Sequence, residues 1–208
     1  MQKKIKIRGR PPILTKALDR LKKLGVFQVA DAKRVGISQS SLSRFVREKR
    51  IRSLEPRFYI HPESKLSGEE LEFALACKKF GPESVIGGLT ALFHYGLIEE
   101  VPGQIWIIVP YAKKSKDLLY KCIRSKTNPQ EGVEDKTFYR ITTLERTLVE
   151  AFRYSSKIGI RIAFRATRQA VRKKMTSLQK IYQQAKKLHL EQFIAKHWEA
   201  LVPESQAH

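Results

Sequence analysis

The chain of 208 residues carries 41 Lys/Arg against 20 Asp/Glu, which gives a net charge of +21 at pH 7. Hydrophobic residues make up 42% of the sequence, enough for a buried core, so a wholly disordered chain is excluded. No apolar run reaches the roughly 20 residues that span a bilayer, so we expect no membrane partner. No apolar stretch follows the basic start, which predicts that there is no secretory signal.

The positive charge is concentrated at the two ends of the sequence. Residues 1–62 hold 17 Lys/Arg and 4 Asp/Glu, residues 63–150 hold 12 and 13, and residues 151–208 hold 12 and 3. This distribution favours two polyanion-facing surfaces over a uniformly basic coat. The alternative is a protein whose many lysines and arginines are simply solvated.

Three helices are predicted near the N-terminus, over residues 15–24, 28–35 and 39–49, with Thr15 as the cap of the first. Gly36 supplies a tight turn between the second and third helices, and Ser38 caps the third. The pattern is that of a helix-turn-helix.

The third helix is amphipathic, with Leu42, Phe45 and Val46 on one side. The other side holds short hydroxyl groups, an amide and arginines, so the helix can approach a groove floor and pair with bases or phosphates of double-stranded DNA. The residues predicted to contact DNA from this segment are Ser38, Gln39, Ser40, Ser43, Arg44, Arg47 and Arg50.

Two short β-prone runs, 51–54 and 58–60, follow this helix and are separated by a turn. A hairpin here is typical of the wing of a winged helix-turn-helix, and it predicts that Arg52 and Arg57 lie near the DNA backbone. The alternative is a small helical domain whose polar face is only solvated.

A basic arm, residues 1–14, precedes the first helix and contains Arg8-Gly9-Arg10-Pro11. This tetrapeptide resembles the core of an AT-hook, in which Arg8 and Arg10 would enter a narrow A·T minor groove. The alternative is a plain basic tail that touches phosphates. We favour this alternative, because a match of only four residues is weak evidence for an AT-hook.

The predicted fold class is α+β: a winged helix-turn-helix over residues 15–62, followed by a mixed α/β domain over residues 67–202 that ends in helices. Helical patterns begin at Ser67 and Thr90, and strands are predicted over 104–109 and 137–142. The polar stretch between them predicts no element, and amphipathic helices are predicted over 159–175, 178–188 and 190–201.

Three segments of this second part, Ile86–Ile98, Ile105–Pro110 and Arg140–Val149, resemble the abortive-infection AbiEi antitoxin family. The most distinctive elements are Ala91-Leu-Phe-His-Tyr-Gly96 and Leu144-Glu-Arg-Thr-Leu148. The resemblance extends over nearly the whole chain after the basic arm, and the predicted winged segment lies where that family has one.

The resemblance implies an autoregulating antitoxin of a toxin–antitoxin operon, which represses its own promoter through the winged domain. It also implies a nucleotidyltransferase-like toxin as the functional counterpart, without need of a stable antitoxin–toxin complex. The sequence departs from the family at the wing, where Arg57 stands in place of a small turn glycine, and in the Arg-Gly-Arg-Pro arm.

A second arginine pattern lies on the helix predicted over residues 159–175. Its members follow i, i+4, i+7 and i+11 spacing and span about 16 Å along one face. They are Arg161, Arg165, Arg168 and Arg172. DNA phosphates, an acidic toxin surface, and the chain's own Glu145 and Glu150 are candidate partners, and a solvated face is the alternative.

The sequence carries no recognised catalytic motif, and His94 is interpreted as a packed or surface histidine. Cys77 and Cys122 lack the spacing of a disulfide framework or metal site. We therefore predict a cytoplasmic, DNA-binding repressor that is not an enzyme and has no catalytic residue, metal or cofactor. The alternatives are a nuclease with a winged-helix targeting domain, and a module that binds only protein.

Overall fold

The computed structural model describes residues 12–112, 115–125 and 130–201. Arg8 and Arg10 of the predicted arm lie outside the described residues. The fold is of the α+β class, and the chain divides into two compact units, one up to Lys78 and one from Lys79. The predicted domain 15–62 lies within the first unit, and most of the predicted domain 67–202 forms the second.

The first unit combines four helices with a small antiparallel sheet. In chain order the elements are α1 (Pro12–Lys23), β1 (Val26–Gln28), α2 (Val29–Arg34), α3 (Gln39–Arg47), β2 (Arg52–Glu55), β3 (Phe58–Ile60) and α4 (Gly68–Phe80), the last of which crosses into the second unit. The sheet order is β1-β3-β2, and β3 is antiparallel to both neighbours. Strands β2 and β3 form a hairpin that directly follows α3 in the chain.

The core of the first unit is built from the inner faces of α1, α2 and α3. Leu21, Phe27, Leu42 and Phe45 are fully buried in one hydrophobic cluster. Phe27 comes from β1 and stacks on Tyr59 of β3, with ring centroids 6.0 Å apart. Phe27 thus joins the sheet to the helices through this cluster, and its stacking on Tyr59 links the two strands.

The first helix differs from its prediction at both ends. It begins at Pro12, so Thr15 is not its cap, because proline suits the first turn of a helix, where no amide hydrogen bond is lost. It ends at Lys23, and Leu24 is largely exposed instead of facing the core. Gly25, with φ +66°, then redirects the chain into β1, a strand that the sequence did not predict.

The second unit packs helices on a five-stranded mixed sheet. Its strands are β4 (Val85–Ile86), β5 (Ile105–Pro110), β6 (Tyr120–Ser125), β7 (Val133–Asp135) and β8 (Arg140–Thr142), in the order β6-β5-β4-β8-β7. Its helices are α5 (Gly88–His94), α6 (Leu144–Arg153), α7 (Ser155–Ile158), α8 (Ile160–Arg172), α9 (Leu178–Lys187), α10 (Glu191–Ala195) and α11 (Trp198–Leu201). Pairs β5–β6 and β4–β8 are parallel, whereas β4–β5 and β7–β8 are antiparallel.

The central helix of the second unit is α6, and seven consecutive residues of it, 146–152, are buried. Leu148 and Phe152 join the main hydrophobic cluster of this unit. Arg146 and Glu150 are also inside: both side chains have 0% exposure, and Nε of Arg146 donates to Oε1 of Glu150 at 3.2 Å. Arg146 also donates to the carbonyl oxygen of Glu131.

Glu145 and Arg146 are neighbours at the start of this helix but have different partners. Arg146 reaches into the core to Glu150, and Glu145 instead accepts a hydrogen bond of 2.6 Å from the Thr176 hydroxyl. Burial raises the pKa of Glu150, although the adjacent Arg146 acts to lower it.

We predict that Arg146→Met lowers the free energy of unfolding of the second unit by about 3–5 kcal/mol at pH 7, because Glu150 is left buried without its cation. The loss should shrink as the pH falls, because a lone buried Glu150 has a raised pKa and is readily protonated. Both tryptophans, Trp106 and Trp198, belong to this unit, so tryptophan fluorescence in urea reports its unfolding.

The matched control is Arg146→Met combined with Glu150→Leu, which removes both charges. We expect the double variant to recover most of the lost stability. A double variant as unstable as the single one would show that the cost comes from lost packing and not from the uncompensated carboxylate.

Candidate nucleic-acid interface

The start of α3 is fixed by a short sequence of local signals. Gly36 adopts φ +82°, a conformation that suits glycine, and its turn is closed by the Ile37 amide donating to the Ala32 carbonyl at 2.9 Å. Ser38 caps the helix, because its Oγ accepts a hydrogen bond of 3.2 Å from the Ser41 amide. The predicted cap of α3 is therefore confirmed.

The two faces of α3 are separated as the helical wheel predicts. Leu42 and Phe45 are buried, and Val46 packs partly against the same cluster. The exposed predicted contact residues of this segment are Ser38, Gln39, Ser40, Ser43, Arg44 and Arg47. The polar face is thus open to a ligand along the whole length of the helix.

The arginines at the end of this segment have different environments. Arg47 is exposed and has no ion pair within the described part of the chain. Arg44 is also exposed, and its Nε lies 3.7 Å from Glu48 Oε1, a pair that solvent weakens.

Arg50 lies beyond the end of α3, which stops at Arg47 and not at the predicted Lys49. Its side chain is only 17% exposed, and the guanidinium carbon lies 4.5 Å from the centroid of the Phe45 ring. A second contact of 3.6 Å joins Arg50 to Glu48. Its environment is therefore that of a packing residue, in contrast to Arg44 and Arg47.

The β2–β3 hairpin carries Arg52 and Arg57, both of them exposed. The turn between the strands consists of Pro56 and Arg57, and Arg57 has φ +73°. Proline followed by a residue with positive φ is the pattern of a type II turn, in which glycine is the usual second residue. Arg57 therefore places a charged side chain at the hairpin tip at the expense of backbone strain.

Sequence reasoning missed a buried carboxylate in the first unit. Asp31 of α2 is 9% exposed and accepts hydrogen bonds from the Gln28 amide and from Lys78 Nζ, each at 2.8 Å. Burial acts to raise the pKa of Asp31, but the bonds from Lys78 and Gln28, together with the charges of Lys78 and Arg34, leave it lowered. An acidic residue three positions after a helix cap was the available signal.

The second arginine pattern also forms one exposed face, on α8. All four of its members are exposed, and with Phe164, Gln169 and Ala200 they line a groove of about 720 Å³. The four are Arg161, Arg165, Arg168 and Arg172. Glu145 and Glu150 were candidate partners of these arginines, and this prediction is wrong. Glu150 contacts Arg146, and Glu145 contacts Thr176.

Residues 12–112, 115–125 and 130–201 contain no group of three or more His, Cys, Asp or Glu side chains placed to hold a metal ion. Within these ranges, no helix has the length and apolar character needed to cross a bilayer. His94 is half-buried, with its ring 5.3 Å from that of Tyr95.

In comparisons with known proteins, no protein-family model matches the chain and no curated protein matches it significantly.

We predict that Arg57→Gly raises the free energy of unfolding of the first unit by about 1 kcal/mol, because glycine adopts positive φ without a steric penalty. Circular dichroism during chemical unfolding measures the change. Arg57→Ala, which removes the charge but keeps the strain, is the matched control and should leave stability close to that of the parent protein. Equal stabilisation by both substitutions would mean that charge, not backbone strain, is responsible.

We also predict that Asp31→Asn costs the first unit about 2 kcal/mol at pH 7, because two hydrogen bonds to a charged acceptor are weakened. Since the pKa of Asp31 is lowered in the folded state, its stabilisation is present above the unfolded pKa near 4 and disappears as the pH falls through the folded value.

Amide hydrogen exchange in α2 measures this effect, and about 30-fold faster exchange at neutral pH is expected. The control is Asp19→Asn, at an exposed position of α1. Similar changes in the two variants would contradict a specific role for the buried carboxylate.

Proposed function

We propose that the first unit is a winged helix and that the protein binds double-stranded DNA by inserting α3 into the major groove. The observation that carries this proposal is the outer face of α3, which is exposed over its whole length and holds only small hydroxyls, one amide and, in the last turn, arginines. Small side chains allow the backbone to approach base edges, and Gln39 and Arg44 are of the types that pair with adenine and guanine.

The N-terminus of α3 adds a second favourable feature. The Ser38 side chain accepts a hydrogen bond from one backbone amide, that of Ser41. The exposed first turn carries the partial positive charge of a helix start. A DNA phosphate near this turn would be bound by backbone amides as well as by the hydroxyls of Ser38 and Ser40.

The hairpin that follows α3 also supports the proposal. Arg52 and Arg57 provide exposed charges on β2 and at the tip, where a wing contacts the phosphate backbone. A strained arginine at a position suited to glycine is a feature that stability alone does not favour, and phosphate binding gives it a physical reason.

We further propose that the protein represses its own promoter and acts as an antitoxin against a nucleotidyltransferase-like toxin. The support for this finer role is the sequence resemblance to AbiEi-like antitoxins, whose distinctive segments Ala91–Gly96 and Leu144–Leu148 fall on and beside the buried helices α5 and α6. Co-expression with a nucleotidyltransferase-like protein encoded beside it tests this role. We expect growth to be restored, and continued toxicity would contradict the antitoxin proposal.

The DNA-binding proposal predicts that Arg44→Gln combined with Arg47→Gln weakens binding to the DNA upstream of its own reading frame by about 30-fold or more. Fluorescence anisotropy with a labelled duplex, repeated across a salt series, measures the affinity and its salt dependence. The matched control is Lys180→Gln with Lys187→Gln, which removes the same charge from exposed positions of α9 and should change affinity by less than about 3-fold.

Two outcomes of this experiment would contradict the proposal. Equal losses in the α3 and α9 variants would indicate unspecific attraction to a highly positive protein. Equal affinity of the parent protein for upstream DNA and for a shuffled duplex of the same composition would rule out sequence-specific repression.

The more stable Arg57→Gly protein should bind the upstream duplex several-fold more weakly than the parent does, because a phosphate contact is lost.

A further inference from the structure

The groove along α8 has a composition that a simply solvated helix face does not explain. Every exposed residue of this helix is an arginine, and the helix contains no acidic residue and no lysine. Solvated helix faces usually mix charges of both signs, because like charges three or four residues apart destabilise a helix. Arginine is instead the cation enriched at interfaces, since its planar fork binds carboxylates through two parallel hydrogen bonds.

Two side chains in the middle of the groove are held in place by hydrogen bonds to backbone carbonyl groups. Arg168 Nη2 donates to the carbonyl oxygen of Ala200 on α11 at 2.8 Å, and its guanidinium carbon lies 5.6 Å from the Phe164 ring centroid. Gln169 is held in the same way, because its Nε2 donates to the Gly96 carbonyl at 3.0 Å. These contacts fix the middle of the groove, and Arg161 and Arg172 stand at its two ends.

We propose that this groove binds an acidic, extended segment of a partner protein. None of its four arginines has an ion pair among the described residues, so their charges are not neutralised by a carboxylate there. The arginines span about 16 Å along the helix axis, which matches about five residues of extended chain. Phe164 and Ala200 supply an apolar wall for the side chains between the carboxylates.

The same observations favour a peptide over single-stranded nucleic acid. Sites for single strands combine positive charge with exposed aromatic rings on which bases stack. The aromatic side chain among the described lining residues is Phe164, and its surfaces are already used: Arg168 lies over the ring, and the rings of Phe152 and His197 make edge contacts at 5.4 and 5.3 Å. The groove therefore offers carboxylate-binding groups without a base-stacking platform.

The test uses a fluorescein-labelled peptide of about eight residues in which Glu alternates with Leu, and a second peptide with Gln in place of Glu. Binding to the full-length protein is followed by fluorescence anisotropy at about 0.15 M salt. We expect Arg165→Gln with Arg172→Gln to weaken binding of the Glu peptide by at least about 10-fold. The Lys180→Gln with Lys187→Gln control should change it by less than about 2-fold, and the Gln peptide should not bind.

Failure of this proposal can be told apart from failure of the DNA-binding proposal. The Arg44→Gln with Arg47→Gln variant should keep its affinity for the Glu peptide, because α3 is not part of the groove. Equal losses in the α8 and α9 variants would overturn the proposal in favour of unspecific attraction. An oligothymidine or a short duplex that displaces the Glu peptide from the parent protein, and does so less well from the α8 variant, would overturn it in favour of nucleic acid.

Discussion

The insertion of Leu42 and Phe45 into the core of the first unit determines which side of α3 meets the surroundings. Both side chains are fully buried in a cluster with residues of α1 and α2, so rotation of the helix about its axis would expose apolar surface. Because the helix advances by about 100° per residue, fixing these two positions also fixes the direction of Gln39, Ser43 and Arg47. The polar face that carries the proposed function is therefore a consequence of the packing on the opposite side.

Arginine serves three different purposes in this protein, and its exposure distinguishes them. Arg47 is solvated and available to a ligand, Arg50 lies over the Phe45 ring, and Arg146 is completely buried beside Glu150. The first adds to the local positive potential, the second contributes mainly packing, and the third organises the interior of the second unit. A total charge of +21 thus overstates the charge that is free to attract a polyanion.

Local signals in the sequence were sufficient to predict the region around α3. The Gly36 turn, the Ser38 cap and the β-prone runs before and after Pro56 each act within a few residues, so a single sequence contains the information. The pattern of four arginines on α8 was predictable for the same reason, since helical periodicity alone places them on one face.

The missed features depend on partners distant in sequence or on very short elements. Strands β1 and β7 contain three residues each, and their pairing with β3 and β8 gives them their structure. The contact of Asp31 with Lys78 crosses 47 positions, and the groove needs Ala200 from a helix that follows α8 by more than 20 residues. The buried Arg146–Glu150 pair was missed because charged residues are ordinarily assigned to the surface.

The position of Lys78 has a consequence for dividing the molecule. An excised fragment that stopped after the hairpin at residue 62 would retain every proposed DNA contact of α3 and the wing, yet it would lack the ammonium group that neutralises Asp31. The first unit is thus completed by a side chain from α4, the helix that continues into the second unit. Exchange of this module between proteins, in the laboratory or by recombination, has to transfer most of α4 along with it.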